Sequence, residues 1–256
     1  MDDAELAARE RATQHAFFAG VVGRSGRAVA PAPGVVAVVV PSVPHRSLPN
    51  SVLYADPAVL DDAVLDELGA VYADAGVHAW TVWVRPGDDA LARRLAARGH
   101  ALDGQPMLMA APLAEIDLRP RAGLDLDPDP GWRTLAAVND RAYGTPGDLE
   151  RVLGGLGAVD GCALWVAREA GEPVAALAVH LHEGDAGVEF VAVVPEARGR
   201  GLAAELMRHA LTAAAQAGAT TTSLEASAMG EPVYRRLGYR ALGRFGMWER
   251  RTPAPA

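Results

Sequence analysis

Residues 198–204, Arg-Gly-Arg-Gly-Leu-Ala-Ala, have the types and spacing of a turn that holds an anion. Gly199 and Gly201 leave the backbone bare, so a charged oxygen can approach its N–H groups, and Arg198 and Arg200 add positive charge. The stretch before the turn, Val188 to Val194, is a β-branched run that suits a buried strand. The stretch after it carries Leu202, Leu206, Ala210 and Ala214 on one helical face. A strand that hands such a turn to a helix aims unpaired N–H groups and the positive end of the helix dipole at one place. That place seats a pyrophosphate. The dipole contributes only about 0.3–1 kcal/mol per charge, so direct N–H bonds must do most of the holding.

Two kinds of protein put a pyrophosphate on such a turn. Gly199-x-Gly201-x-x-Ala204 fits the dinucleotide-binding fingerprint, which calls for a strand running straight into the first glycine and further βα units after it. Here Pro195-Glu196-Ala197-Arg198 intervene, and only 55 residues follow Gly201, too few for a full doubly wound sheet. The other pattern is R-x-x-G-x-A, fixed by Arg198, Gly201 and Ala203 and preceded by a strand ending in Val-Val-Pro. It resembles the acyl-coenzyme A loop of the GNAT N-acetyltransferase superfamily. A second stretch, Leu224 to Tyr239, resembles that family's later motif, in which a strand splays away and a short helix ends in Tyr-x-x-x-Gly-aromatic, here Tyr234 to Tyr239. The resemblance covers roughly residues 120 to 250.

The resemblance implies an α/β (α+β) acyl-CoA N-acyltransferase fold, with a mixed, mostly antiparallel sheet and flanking helices. It also implies acetyl-CoA as cosubstrate and an amine, of a small molecule or a peptide, as acceptor. The backbone from Arg198 through Gly199, Arg200, Gly201 and Leu202 to Ala203 then holds the pyrophosphate. Main-chain groups of Val193 and Val194 pair with the pantetheine arm, and Ser227 lies near that arm. The acceptor has to lose a proton, because a free alkyl amine has a pKa near ~10 and is mostly charged at pH 7. Glu189, on the strand beside the cofactor, is the implied base. Tyr234 is the implied acid for the departing thiolate, a role that contributes roughly 10²–10⁴-fold. Tyr143, between the first two helices of the domain, is the implied substrate contact. For each of these side chains, packing or solvation without chemistry is the other reading.

The elements that position these residues follow from the pattern. From residue 132 the order reads helix (132–142), helix (148–156), strands (163–168 and 174–182), a turn over 183–187, and the strand that meets the phosphate turn. A long helix closed by Gly218, a strand (220–226), a short helix (232–237) and a final strand (240–250) complete it. Ahead of this, the sequence predicts a helix over 2–19, strands at 35–40, 51–54, 79–84 and 107–110, and helices from Asp56-Pro57 to about Gly76 and over 90–98. Pro120, Pro128 and Pro130, interleaved with Asp125, Asp127 and Asp129, mark a boundary, giving lobes 1–115 and 116–256. Leu91-Ala92-Arg93-Arg94-Leu95 with Gly99-His100 echoes Val233-Tyr234-Arg235-Arg236-Leu237 with Gly238-Tyr239, at a spacing of about 142 residues. The first lobe, which lacks a pyrophosphate turn, therefore reads as a GNAT-like copy that has lost its cofactor loop.

Composition narrows the remaining classes. Half of the 256 residues are hydrophobic, which fits a folded protein with a sizeable core. A net charge of −8 argues against general nucleic-acid binding. No apolar run is long enough to span a bilayer, and the acidic start, Met1-Asp2-Asp3-Ala4-Glu5, is unlike a secretory signal, so the expected place is the cytoplasm, away from membranes. Cys162 is the single cysteine and excludes an internal disulfide. His180 and His182 share a strand face without a third metal ligand in view, so no metal site is expected. Monomer and homodimer both remain open. So do an NAD(P)-binding oxidoreductase and a non-catalytic coenzyme A-binding regulatory protein as alternative functions.

Overall fold

The computed structural model describes residues 1–120, 123–127 and 129–253; of the proline-rich segment, Arg121, Ala122 and Pro128 lie outside the described residues. Helix α1 (Asp3–Gly20) is followed by β1 (Arg27–Val29), β2 (Val35–Val39), β3 (Ser51–Tyr54), α2 (Asp62–Asp74), β4 (Ala79–Val84), α3 (Asp89–Ala97), β5 (Ala101–Gly104) and β6 (Met107–Pro112). Then come β7 (Asp125–Leu126), α4 (Trp132–Tyr143), α5 (Asp148–Leu153), β8 (Cys162–Glu169), β9 (Glu172–His182) and β10 (Asp185–Val193). The chain ends with α6 (Leu202–Gln216), β11 (Thr221–Ala226), α7 (Glu231–Leu237), β12 (Arg240–Arg244) and β13 (Gly246–Arg251). The fold is mixed α/β, built on two mostly antiparallel sheets. Among the described residues no helix is long and apolar enough to cross a membrane.

The chain forms two compact units. One comprises Met1–Gln14 and Leu108–Leu242, with strand order β12-β6-β11-β10-β9-β8-β7. Its centre is an antiparallel ladder β8-β9-β10, and β10 then runs parallel to β11 over Asp185↔Thr221, Ala186↔Thr222 and Gly187↔Ser223. Asp185 fixes that junction: its two carboxylate oxygens accept from Thr221 Oγ1 at 2.7 Å and Ser223 Oγ at 2.5 Å. Helix α6 lays Leu206, Met207, Ala210, Leu211 and Ala214 on the sheet, and α4 contributes Trp132, Leu135, Ala136 and Val138, all buried. Each fully buried large apolar side chain stabilises the fold by about 1.5–3 kcal/mol, so these two stripes hold the helices in place.

The other unit, His15–Met107 and the chain from Gly243 onward, has strand order β1-β2-β3-β4-β13-β5. Here too an antiparallel pair, β2-β3, leads into a parallel one, with Ser51↔Thr81 and Val52↔Val82. Val52, Tyr54, Leu68, Tyr72, Trp80 and Leu95 centre its core, and Tyr72 stacks on Trp80 at 4.8 Å. The echo at 142 residues falls where β4, α3 and β5 follow one another in the same order as β11, α7 and β12.

Several boundaries differ from expectation, each for a local reason. The final strand is two strands, because buried Phe245 donates its N–H to Pro106 O at 3.0 Å and β13 then pairs with β4 and β5 instead of extending β12. A single crossing at 115/116 therefore does not describe how the chain passes between units. β6 and α1 as far as Gln14 group with the later half of the sequence, and β13 with the earlier half. The turn over 183–187 is shorter than expected: Glu183 (φ 47) and Gly184 (φ 79) make it, and Asp185 already belongs to β10. The helix expected from Asp56 is a short 3-10 turn, Pro57–Val59, followed by α2, whose first turn is capped by Asp61. β1 and β5 were not foreseen; β1 is a three-residue edge strand, and β5 has Ala101, Leu102 and Asp103 exposed, so neither shows a buried alternation.

Candidate functional site

A cleft of ≈ 690 Å³ opens where β10 and β11 part and α6 begins. It is lined by Tyr143, Val191, Val193, the whole turn from Arg198 to Ala203, Ser227, Tyr234 and Arg236. The structure thereby brings together most of the residues singled out from the sequence. Val194 and Glu189 are not in that lining: the N–H of Val194 is bonded to Val174 O at 3.0 Å inside the sheet, and its side chain is fully buried.

The turn is open on its cleft side. Gly199 (φ 77) and Gly201 (φ 79) take the left-handed conformation, which costs an ordinary residue about 1–2 kcal/mol. A Cβ at either position would meet no protein atom within 4 Å, so the glycines serve the backbone angle and keep the space over the N–H groups clear. Among the described residues, the N–H groups of residues 199–204 find no backbone acceptor; the helix ladder begins with Glu205 N to Gly201 O at 3.0 Å. A helix head that aims several donors at one open cleft fits a diphosphate. Neither arginine stands free. Arg200 Nη2 meets Glu169 at 2.5 Å, while Arg198 spans from Val193 O (3.1 Å) to Ala142 O (2.6 Å) and ties the end of α4 to the end of β10. The backbone N–H of Arg198 is itself bonded to Pro195 O at 3.3 Å.

β10 bulges between Glu189 and Ala192, with Phe190 at φ 54. Asn139 on α4 steadies this kink: its Nδ2 donates to Phe190 O at 3.0 Å and to Leu135 O at 3.1 Å. One turn further on, the Tyr143 hydroxyl donates to Val191 O at 3.1 Å. Asp140 between them accepts from the backbone N–H groups of Leu149 and Glu150, both at 3.0 Å, and so caps α5. Asn139, Val191 and Arg236 are cleft-shaping residues that the sequence reading did not single out. The i, i+4 spacing of Asn139 and Tyr143 was the available signal, but the bulge that turns Val191 to the cleft has no mark in the sequence.

Tyr234 is 7% exposed and edge-on to Tyr239 at 5.9 Å. Burial, helped by Tyr143 nearby, pushes its hydroxyl well above the usual tyrosine range, so it keeps its proton at neutral pH. Gly230 makes room for the ring, since a Cβ there would stand 2.8 Å from Tyr234 Cε2. Ser227 accepts from Gly230 N at 3.2 Å and shapes the entry to α7.

Glu189 belongs to a polar sheet face under α1. Thr13 Cγ2 lies 2.7 Å and Glu189 Oε1 3.9 Å from where a Gly187 Cβ would stand, so the missing side chain lets helix and strand close on each other. Gln14 Nε2 reaches Glu225 Oε1 at 3.0 Å, and Glu10, one turn earlier on α1, is buried. Loss of water, and then the charge of Glu10, raise the Glu189 carboxyl to about 8. His180, opposite Gly187 on β9, packs ring to ring against His182 at 6.1 Å, and burial lowers its pKa.

Residues 160–241 match the family described as the acetyltransferase (GNAT) domain. No curated protein matches the chain. Among solved structures, a GCN5-related N-acetyltransferase from Kribbella flavida is 20% identical over 96% of each chain, with a TM-score of 0.68. One from Sphaerobacter thermophilus is 18% identical over 87% of this chain and 78% of its own, at 0.59. A putative GNAT acetyltransferase from Novosphingobium aromaticivorans is 17% identical over 95% and 98%, at 0.53. At such identities these likenesses establish the fold. The dinucleotide alternative finds no support in the sheet: β10, the strand before the turn, is antiparallel to β9 and parallel only to β11, which is not a doubly wound arrangement.

Proposed function

We propose that this protein, whose residues 160–241 match the acetyltransferase (GNAT) domain family, moves an acetyl or other short acyl group from its coenzyme A thioester to an amine. The observation that carries the reading is the cluster of N–H groups from Gly199 to Ala204 at the head of α6, open to the cleft and without backbone acceptors among the described residues. These groups bind the diphosphate, with the N–H of Arg198 held inside its own turn. Val191 offers a main-chain partner to the extended arm, as an added strand does at a sheet edge, and Val193, whose carbonyl is held by Arg198, borders it. Acetyl-CoA, when bound, supplies the activated acyl thioester.

Glu189 receives the proton that the acceptor nitrogen must lose through a water chain, since its carboxylate stands under α1 and not in the cleft lining. Its raised pKa supports this, because a carboxylate near 8 is a far stronger base than one near 4.5. Tyr234 gives its hydroxyl proton to the departing sulfur and is kept protonated for that task by burial. Ser227 borders the arm, and Tyr143 stands at the cleft wall, where it is available to the acceptor.

The His15–Met107 unit reads as a degenerate copy of the same plan. Its parallel strand pair leads to a helix head, α2, that is filled by its own carboxylate, with Asp61 Oδ1 accepting from Val64 N at 2.9 Å. The Asp61 carboxylate stands where an anion would sit and repels one. The reading is tested by following thiol release from acetyl-CoA across a panel of amines: amine-dependent release supports transfer, and release that no amine accelerates refutes it.

A further inference from the structure

Two carbonyls of β10 beyond the parallel pairing are held by side chains instead of by a strand. Val191 O accepts from the Tyr143 hydroxyl at 3.1 Å, and Val193 O from Arg198 Nε at 3.1 Å. The same guanidinium holds Ala142 O at 2.6 Å, which fixes the last turn of α4 and so carries Tyr143 over Val191. Gly144, left-handed at φ 67, ends α4 directly after Tyr143. Tyr143 nevertheless remains 55% exposed, so little packing resists its rotation away.

We propose that Tyr143 docks on its own strand in place of the donor that an extended amide-bearing carrier arm brings, and that it yields Val191 O when the arm binds. The inference rests on the carrier-binding reading of the cleft. A sheet edge recognises an incoming strand by main-chain hydrogen bonds, and although a carbonyl oxygen has two lone pairs, a hydroxyl seated on Val191 O within the cleft crowds the approach of a second donor from that side. A resident hydroxyl at Val191 therefore competes with the arm, and binding is weaker by the hydrogen bond that has to be broken. Arg198 is the anchor in this arrangement, because it is bonded on both sides and keeps Tyr143 within reach. Between carriers, the resident tyrosine favours those whose arm supplies an amide N–H at that position.

Calorimetric titration of coenzyme A into the wild-type protein and Tyr143→Phe tests this without turnover. The phenylalanine keeps the ring and loses only the hydroxyl. Removal of one competing neutral hydrogen bond is expected to tighten binding about fivefold. Weaker binding by Tyr143→Phe would mean that the hydroxyl holds the ligand, and unchanged binding that it does not compete; either overturns the inference while leaving the carrier site intact. A wild-type protein that takes up no coenzyme A refutes the carrier reading itself, and this inference with it. As a second readout, 3-fluorotyrosine at position 143 should show a changed ¹⁹F shift on saturation with coenzyme A, and an unmoved signal contradicts displacement.

Discussion

Glu10 on α1 and Glu189 on β10 are electrostatically joined: the charge of the first adds to the loss of water around the second, and the Glu189 carboxyl rises to about 8. A base with that pKa is protonated and idle in mild acid. Activity is therefore expected to climb with pH up to about 8. Glu10→Gln removes the smaller of the two causes and should move this limb part of the way toward the usual carboxylate range. Profiles of kcat/KM against pH, taken with one acceptor amine for both proteins, isolate the difference. A limb that stays put in Glu10→Gln removes the coupling, and an unaltered limb in Glu189→Gln removes Glu189 as the base.

The same shift has a cost in stability. The native pKa of Glu189 lies above its ordinary value, so its contribution is fully present below about pH 4.5 and is lost as pH rises through about 8. Each unit of difference corresponds to about 1.4 kcal/mol between the two protonation states, reduced here by whatever water reaches the group. Glu189→Gln should raise Tm relative to wild type at pH 8 to 9 and change it little near pH 4. Thermal unfolding at both pH values checks this, and a gain confined to the acid side has the wrong sign.

The glycine turn before α6, the splayed strand and α7 were legible in the sequence because each depends on local chemistry: glycines at left-handed angles, a proline at a helix start, an apolar run. What escaped was set by tertiary contact. Phe190 sits at φ 54 in a bulge whose carbonyl is held by Asn139, 51 positions away, and Val191 lines the cleft while Val194 is buried in the sheet. The role of α1 was equally hidden. Glu10, Thr13 and Gln14 look like ordinary polar helix positions until Gly187 brings them against the sheet. The passage of β13 to the other sheet likewise depends on strand partners far away in the chain.

Tyr234→Phe keeps the buried ring and removes the transferable proton. Turnover is expected to fall roughly 10²–10⁴-fold, with coenzyme A affinity nearly unchanged. Steady-state kinetics with calorimetry on the same preparation separate the two effects, and unaltered turnover would end the acid role.

Gly230→Ala reaches the same tyrosine without touching its chemistry. The new methyl would stand 2.8 Å from Cε2, so the ring must shift. Displacements on this scale cost about 10²-fold when they misplace a reacting group. A variant that keeps both its fold by circular dichroism and full turnover would show that the position of Tyr234 does not matter.

The diphosphate seat is the centre of the account, and comparing coenzyme A with pantetheine, which has the arm but no diphosphate, tests it most directly. Titration of each into the wild-type protein and Gly201→Ala should show coenzyme A binding far more tightly than pantetheine in wild type. In the variant the left-handed turn is strained by about 1–2 kcal/mol, and that preference should shrink. Equal affinities for the two ligands, or no heat with coenzyme A at all, would contradict the seat and every role assigned around it.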